Sequence, residues 1–482
     1  MLFSSMLFLW IFLPTVLVVN MLLGMIHFSS EDKRIKVKNI FLLIASLIFY
    51  AWGGVRYLLL MLGVIFINYL AGILTERLAD KRKLVFVLAI CANLGLLFYF
   101  KYFNLFIHTI EEITGKGKGG LQIAEVVLPI GISFYIFQAM SYTIDVYRNK
   151  VSVQKDIFKF ALYVALFPQL IAGPIVIYND VKDEIEHRHE TMDDMVYGIG
   201  RFCIGLGKKV IIANALAEAA DGIWDIAGTD ISRMGAGVAW FGMIAYTLQI
   251  YYDFSGYSDM AIGLGRMLGF HFKENFNYPY ISTSIKEFWR RWHISLSSWF
   301  RDYVYIPLGG SRTDSKWKIY RNLLIVFLLT GIWHGANYTF FVWGLLHGIL
   351  IVTERAGFGR ILEKKGFKPF GWIYTSFAVM IGWVFFRSDS IEIALGYIKR
   401  LFAFGSFPYT VLNFCSMRTV SALVLAILCM GTLLKPWKRF CDKYAKNPVF
   451  GTIGYVVQIC MLLYSIVLIV SGTYNPFIYF QF

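Results

Sequence analysis

The chain has 482 residues, of which 57% are hydrophobic and 16% charged, and its mean hydropathy is +0.59. Soluble domains carry about 25% charged residues, so this composition excludes an ordinary soluble domain and points to a polytopic membrane protein. The net charge of +15 does not describe a nucleic-acid binder: Lys and Arg cluster between apolar runs instead of covering one polar face, as positive-inside topology requires.

Residues 1–30 contain no Asp, Glu, Lys or Arg. With no basic leader and no small-residue cleavage site, they read as a retained first span. A span needs about 20 apolar residues for a ~30 Å hydrocarbon layer. Stretches near that length fall at 3–26, 39–55, 57–75, 84–103, 122–144, 157–178, 234–252, 322–337, 338–354, 370–386, 418–434 and 453–472. The pattern predicts an all-α integral membrane protein of about ten to thirteen spanning or re-entrant helices, forming one membrane domain. The six cysteines show no CxxC and no metal-ligand spacing, and are expected to be small apolar residues, with no metal bound.

Short loops set the expected orientation. Residues 31–38 (EDKRIKVK) and 76–83 (ERLADKRK) hold four basic residues each, whereas the loop at 53–56 holds one. The basic loops are therefore cytoplasmic and the N-terminus faces outward. The basic run 435–448 precedes the last span, which predicts an outward C-terminus too. One apolar run, FPQLIAGPIVIYNDVKDEIEHRHETMDD (167–194), is broken by Pro168, Gly173 and Pro174. Broken backbone persists in a membrane only where protein or water satisfies it, so a re-entrant hairpin is expected, a Pro-kinked span being the alternative.

Ionisable groups at membrane depth are costly and default to functional hypotheses. Of the eight histidines, His187 and His189 fall in a charged loop and His27 and His108 near span ends, where solvated roles are expected. His271 is undecided. His334 lies 13 residues beyond Arg321, or ~20 Å along a helix, well inside the core. Gly331 and Gly335 flank it and Trp333 offers a wall; its imidazole suits general-base catalysis, or it is a buried histidine bonded to a carbonyl. His347, 13 positions further, would stand ~20 Å away on an uninterrupted helix, so a packing role is expected for it.

The segment KEFWRRWHISLSSWFRDYVYIPLGGSR (286–312) interleaves Arg290, Arg291, His293, Arg301 and Asp302 with aromatics. Such a run lies along the cytoplasmic interface, either as an anchor or as a cradle for phosphate through guanidinium contacts. Upstream, YYDFSGYSDMAIGLG (251–265) closes an apolar stretch; Asp253 and Asp259 would orient a histidine or arginine, or the Ser and Gly residues would serve helix packing. No GxSxG, HExxH or Walker element occurs, which leaves serine hydrolase, zinc protease and P-loop readings without support.

FWRRWHISLSSWFRDYVYIPLGGSR followed by GIWHGANYTFFVWGLLHG, with IYYDFSGYSDMAIGLG before them and FIYFQF at the end, resembles a bacterial membrane-bound O-acyltransferase, closest to its alginate O-acetyltransferase branch. LPIGISFYIFQAMSYTIDVYR (128–148) and FPQLIAGPI (167–175) extend the likeness over most of the chain. The resemblance implies helices around a central tunnel. N-terminal helices would span 1–120, an acyltransferase core 121–355 and C-terminal helices 356–482. It further implies an acyl group taken from a cytoplasmic thioester, acetyl-CoA or an acyl carrier protein, with no bound cofactor. The group would pass to a hydroxyl of an extracytoplasmic polysaccharide, with an extracytoplasmic acyltransferase or esterase-like partner, in the cytoplasmic membrane.

By this resemblance His334 in GIWHG matches the family's essential histidine and His293 in RRWHIS its second polar position. Arg290, Arg291 and Trp289 are then expected on the donor side, and Trp333, Gly331, Gly335 and Asn337 along the tunnel. His293 beside the basic cluster and His334 deep in the core are expected at different depths. Two rival readings stand beside this one: D-alanyl transfer from a carrier protein, which YIPLGGSR disfavours, and a non-enzymatic exporter or scaffold, which would more naturally show two related halves.

Overall fold

The computed structural model describes residues 1–115, 119–313, 315–444, 447–472 and 474–476, so the terminal FIYFQF lies outside the described residues. Every regular element among the described residues is helical. Six helical stretches among the described residues are long and apolar enough to cross a bilayer: Phe8–Met25, Val55–Arg77, Ala79–Ile113, Tyr338–Leu362, Lys365–Arg387 and Pro448–Ser471. The chain forms two compact units, one of residues 1–202 and 261–273, the other of 203–260 and 274–482.

The first unit begins with α1 (Leu13–Met25), α2 (Glu31–Ala51), α3 (Val55–Arg77), α4 (Arg82–Leu97) and α5 (Phe103–Ile113). Then come α6 (Ile132–Tyr147), α7 (Ile157–Ala165), α8 (Phe167–Leu170), α9 (Tyr178–His187) and the start of α10 (Met192–Gly207). Helices α3, α4 and α6 are tied by a buried amide pair: Asn68 and Asn93 donate to each other at 2.9 and 3.1 Å, and Thr143 donates to Asn68 Oδ1 at 2.7 Å. Hydrogen bonds of this kind hold helices together where apolar surface gives no net drive.

The expected span at 122–144 is half right. Residues 122–129 are not helical, because Asn104 holds them extended, donating to the Val126 carbonyl and accepting from its N–H, both at 2.9 Å. Helix α6 starts only after Gly131, whose φ of +74° suits glycine. The run 157–178 breaks at Leu166, as its prolines predict. Protein satisfies the freed groups: Ser46 Oγ accepts from Phe167 N at 3.1 Å, and the Tyr163 hydroxyl reaches the Gln138 and Val176 carbonyls at 3.0 and 3.1 Å. His271 meets Glu184 at 2.7 Å and Asp194 at 3.4 Å, a charged cluster with Arg266 on Asp194 at 2.6 Å.

The second unit continues through α11 (Asn214–Asp230) and most of α12 (Ala236–Met267). Then come α13 (Ile285–Arg291), α14 (Ile294–Phe300), α15 (Lys316–His334), α16 (Tyr338–Thr353), α17 (Gly359–Leu362) and α18 (Lys368–Arg387). Helices α19 (Ile391–Arg400), α20 (Met417–Ile427), α21 (Leu434–Tyr444) and α22 (Pro448–Ser471) complete it.

No span was expected between 178 and 234, yet α10 passes through a wide π-helical turn at Lys208–Ala213 into α11. The two lysines of that turn hid the helix from a hydropathy reading. Their partners lie on α12: Lys209 meets Asp253 at 2.7 Å, both side chains at most 3% exposed, and Lys208 meets Asp259 at 2.6 Å. Residues 251–265 therefore do not close a helix. They continue α12, where Asp253 and Asp259 meet these lysines. Buried charges persist when paired in this way.

Candidate active site

His293 stands between α13 and α14 with φ +43° and ψ +55°, a left-handed conformation uncommon for a residue with a side chain. Asn275 holds it there. The Asn275 carbonyl accepts from Ile294 N at 2.9 Å, and its Oδ1 accepts from Ser295 N at 3.1 Å and from Ser295 Oγ at 2.9 Å. The same Oδ1 meets His293 Nδ1 at 3.2 Å, and Asn275 Nδ2 donates to Ser258 Oγ at 3.2 Å. Phe254 packs edge-on against the imidazole with centroids 4.6 Å apart. His293 is fully buried, and that burial pushes its imidazole down to about 3, so it is neutral at physiological pH.

His334 is the last residue of α15. The rise of ~20 Å from Arg321 holds, since α15 is helical throughout, but the helix stops there. Asn337 caps α16, accepting from Thr339 N at 3.0 Å and donating to the Asp389 carbonyl at 2.7 Å. The two helices pack as a hairpin at backbone contact: a Cβ on Gly344 would come 2.5 Å from the Phe327 carbonyl, and one on Gly331 would overlap the Phe340 carbonyl. Such approach is what small residues allow between membrane helices.

Aromatic walls surround the His334 ring: Trp333 and Trp343 at 5.0 Å and Phe386 at 5.1 Å between centroids. The His293 ring lies 6.5 Å away and Trp333 stands 6.1 Å from it. The expectation that the two histidines occupy different depths is thus not met; the turn after Arg291 folds His293 to the end of α15. At this separation the imidazoles cannot bond each other. His347 is not remote either. Trp343 contacts both His334 and His347 at 5.0 Å, because the chain reverses after His334.

A cleft of about 570 Å³ opens beside this centre. Lys286, Arg290, Arg301, Arg355 and Arg360 line it with Glu354 and Glu363; Trp289, Phe327, Ile351 and Thr330 form deeper walls. Thr330 is one helical turn before His334 on α15. Glu354 is committed elsewhere, accepting from the α13 backbone at Ile285 N (2.6 Å) and Lys286 N (3.0 Å). That carboxylate supplies an anion where a helix N-terminus attracts one and fixes the helix that carries Trp289 and Arg290.

Of the expected donor-side residues, Trp289 and Arg290 line the cleft. Arg291 does not belong to that lining: its guanidinium pairs with Glu287 at 2.9 Å and donates to the Asn277 carbonyl at 3.1 Å. Of the expected tunnel residues, Trp333 touches both histidines, Gly331 is closed against α16, Gly335 faces the Phe340 ring and Asn337 is the α16 cap. The sequence reading missed Asn275 and Glu354. Both are polar residues whose partners lie on other elements, so no local pattern marks them.

The sequence profile of the membrane-bound O-acyltransferase family matches residues 86–386, a range that holds both histidines and the cleft. The chain is 44% identical to probable alginate O-acetylase AlgI of Pseudomonas aeruginosa over 89% of this chain and 81% of that one. It is 36% identical to the peptidoglycan O-acetyltransferase of Helicobacter pylori, covering 83% and 80% of the two chains. With the teichoic acid D-alanyltransferase of Bacillus subtilis it shares 29% identity over 72% and 87%. The chain is a multi-pass membrane protein and an O-acyltransferase, and it belongs to the membrane-bound O-acyltransferase family.

Proposed function

We propose that this enzyme moves an acetyl group from a cytoplasmic thioester, acetyl-CoA or an acetylated carrier protein, to a hydroxyl of an extracytoplasmic cell-envelope polysaccharide. An extracytoplasmic acyltransferase or esterase-like partner completes delivery. The observation that carries this reading is a cleft rimmed by five basic side chains whose inner wall reaches Thr330, one turn from His334. Guanidinium and ammonium groups suit the phosphates of coenzyme A or a phosphopantetheine arm. The apolar interior suits the arm itself.

In the transfer step His334 takes the proton of the incoming hydroxyl as its oxygen attacks the thioester carbonyl, and returns that proton to the departing thiolate. His293, neutral and buried, serves the donor side: its Nε2 accepts a hydrogen bond from an amide N–H of the pantetheine arm. The alginate and peptidoglycan O-acetyl enzymes among the relatives support acetyl as the group. The positive-inside pattern supports outward termini in the cytoplasmic membrane.

The purified full-length protein, given radiolabelled acetyl-CoA or acetylated carrier protein, should release free thiol from one of them, and His334→Ala should not. No release from either donor would refute the assignment. Cysteines placed at Lys81 and Lys443 should label only from the cytoplasm; labelling of either in intact cells by an impermeant reagent would overturn the orientation.

A further inference from the structure

Two fully buried histidines of this centre are held in opposite tautomers. The Trp289 indole can only donate, and it points at His347 Nδ1 at 3.3 Å, so the His347 proton sits on Nε2. At His293 the order is reversed. Ser295 N is an obligatory donor facing Asn275 Oδ1. The amide therefore cannot be flipped, since a flip would set its NH2 against that N–H. The oxygen so fixed meets His293 Nδ1, which must carry the ring's one proton. Nε2 is left bare, fully buried and without a hydrogen-bond partner among the described residues.

We propose that Asn275 is a positioning residue that locks His293 in its Nδ1–H tautomer, so that Nε2 meets the substrate as a hydrogen-bond acceptor only. The inference rests on the reading of His293 and His334 as the transfer centre. Three residues do the locking: Asn275, held in turn by Ser295 and Ser258. Among the described residues the remaining ring contacts of His293 are Phe254, Trp333 and His334, and His334 is the one titratable group in that set. Among the described residues no charged side chain takes the place of the Asn275 oxygen.

The test uses the full-length protein with its thioester donor, measuring kcat and donor KM across the range where imidazoles titrate. Asn275→Leu removes the oxygen and should lower kcat/KM by about 10²-fold, within the range of a misplaced catalytic imidazole. Asn275→Asp keeps an oxygen acceptor, and Ser258 can turn its hydroxyl to donate. A carboxylate against Nδ1–H raises the imidazole's proton affinity, so this variant should work at alkaline pH and lose donor affinity as pH falls through the raised pKa. The wild-type donor KM should show no such acid limb.

A purely structural Asn275 would alter stability without moving the pH profile. An Asn275→Asp profile superimposable on wild type would overturn the proposal, as would wild-type kcat/KM in Asn275→Leu while His293→Ala is inactive. If His293→Ala itself retained full activity, the reading of the centre would fall, and the tautomer lock with it. Should Asn275→Leu fail to fold, the pH profile of Asn275→Asp decides alone.

Discussion

The indole N–H of Trp289 donates to Nδ1 of His347 at 3.3 Å, with both side chains buried. This bond ties a wall of the basic cleft to the aromatic cluster around His334, and it gives His347 a partner in keeping with the packing role expected for it. Trp289→Phe leaves that imidazole nitrogen buried and unbonded, a loss of about 1–3 kcal/mol. A thermal scan should show lower stability and steady-state kinetics a raised donor KM. His347→Leu should disturb the same KM, and an unchanged donor KM in both variants would remove Trp289 from the donor side.

Neighbouring arginines should behave differently. Arg290→Ala removes a cationic contact in the cleft, where a hydrogen bond to a charged group is worth about 1.5–3 kcal/mol, so donor KM should rise by roughly tenfold or more. Arg291 is spent on Glu287, a partly exposed pair worth about 0–1 kcal/mol, and Arg291→Ala should leave donor KM nearly unchanged. Equal effects would mean that the cleft does not discriminate the two as its lining does.

His334 sits among Trp333, Trp343 and Phe386 and not in an open glycine pocket. His334→Ala would therefore leave a cavity and lose stability as well as activity. His334→Gln keeps most of the volume but has no group able to take a proton near neutral pH. It should lose about 10²–10⁴ in kcat with thiol-release kinetics as the readout, while donor binding, measured by calorimetry, stays close to wild type.

The hairpin of α15 and α16 depends on Gly344. Gly344→Ala would force its methyl against the Phe327 carbonyl, 2.5 Å away. Overpacking of this kind costs about 1–3 kcal/mol, and the helices can relieve it only by parting, which moves His334 away from His293. Melting temperature and kcat should fall together, whereas Gly63→Ala, a helical position with open space around it, should lower neither.

Much of the centre is legible in the sequence because its histidines are flanked by long, unusual strings of aromatic and basic residues. RRWH and GIWHG stand out against an apolar background, and a residue count along α15 gives the rise from Arg321 to His334. The depth of His293 is not legible, since a left-handed turn and an asparagine 18 positions upstream fold it inward. Helices α10 and α11 escaped for an electrostatic reason: Lys208 and Lys209 lower the local hydropathy, and the carboxylates that compensate them are about 50 residues away. The break at Leu166 was visible because Pro168, two residues on, cannot continue the preceding helix and instead sits in the first turn of the next.

Those lysines also constrain how the protein is made. Lys208 and Lys209 emerge from the ribosome before Asp253 and Asp259 exist, so for that interval the turn holds two ammonium groups that lack these carboxylates. Sealing either in a low-dielectric interior alone would cost several kcal/mol. The helical segment around the turn therefore has to wait, exposed to water or headgroups, until α12 arrives, and the two helices enter their final packing together instead of one after the other.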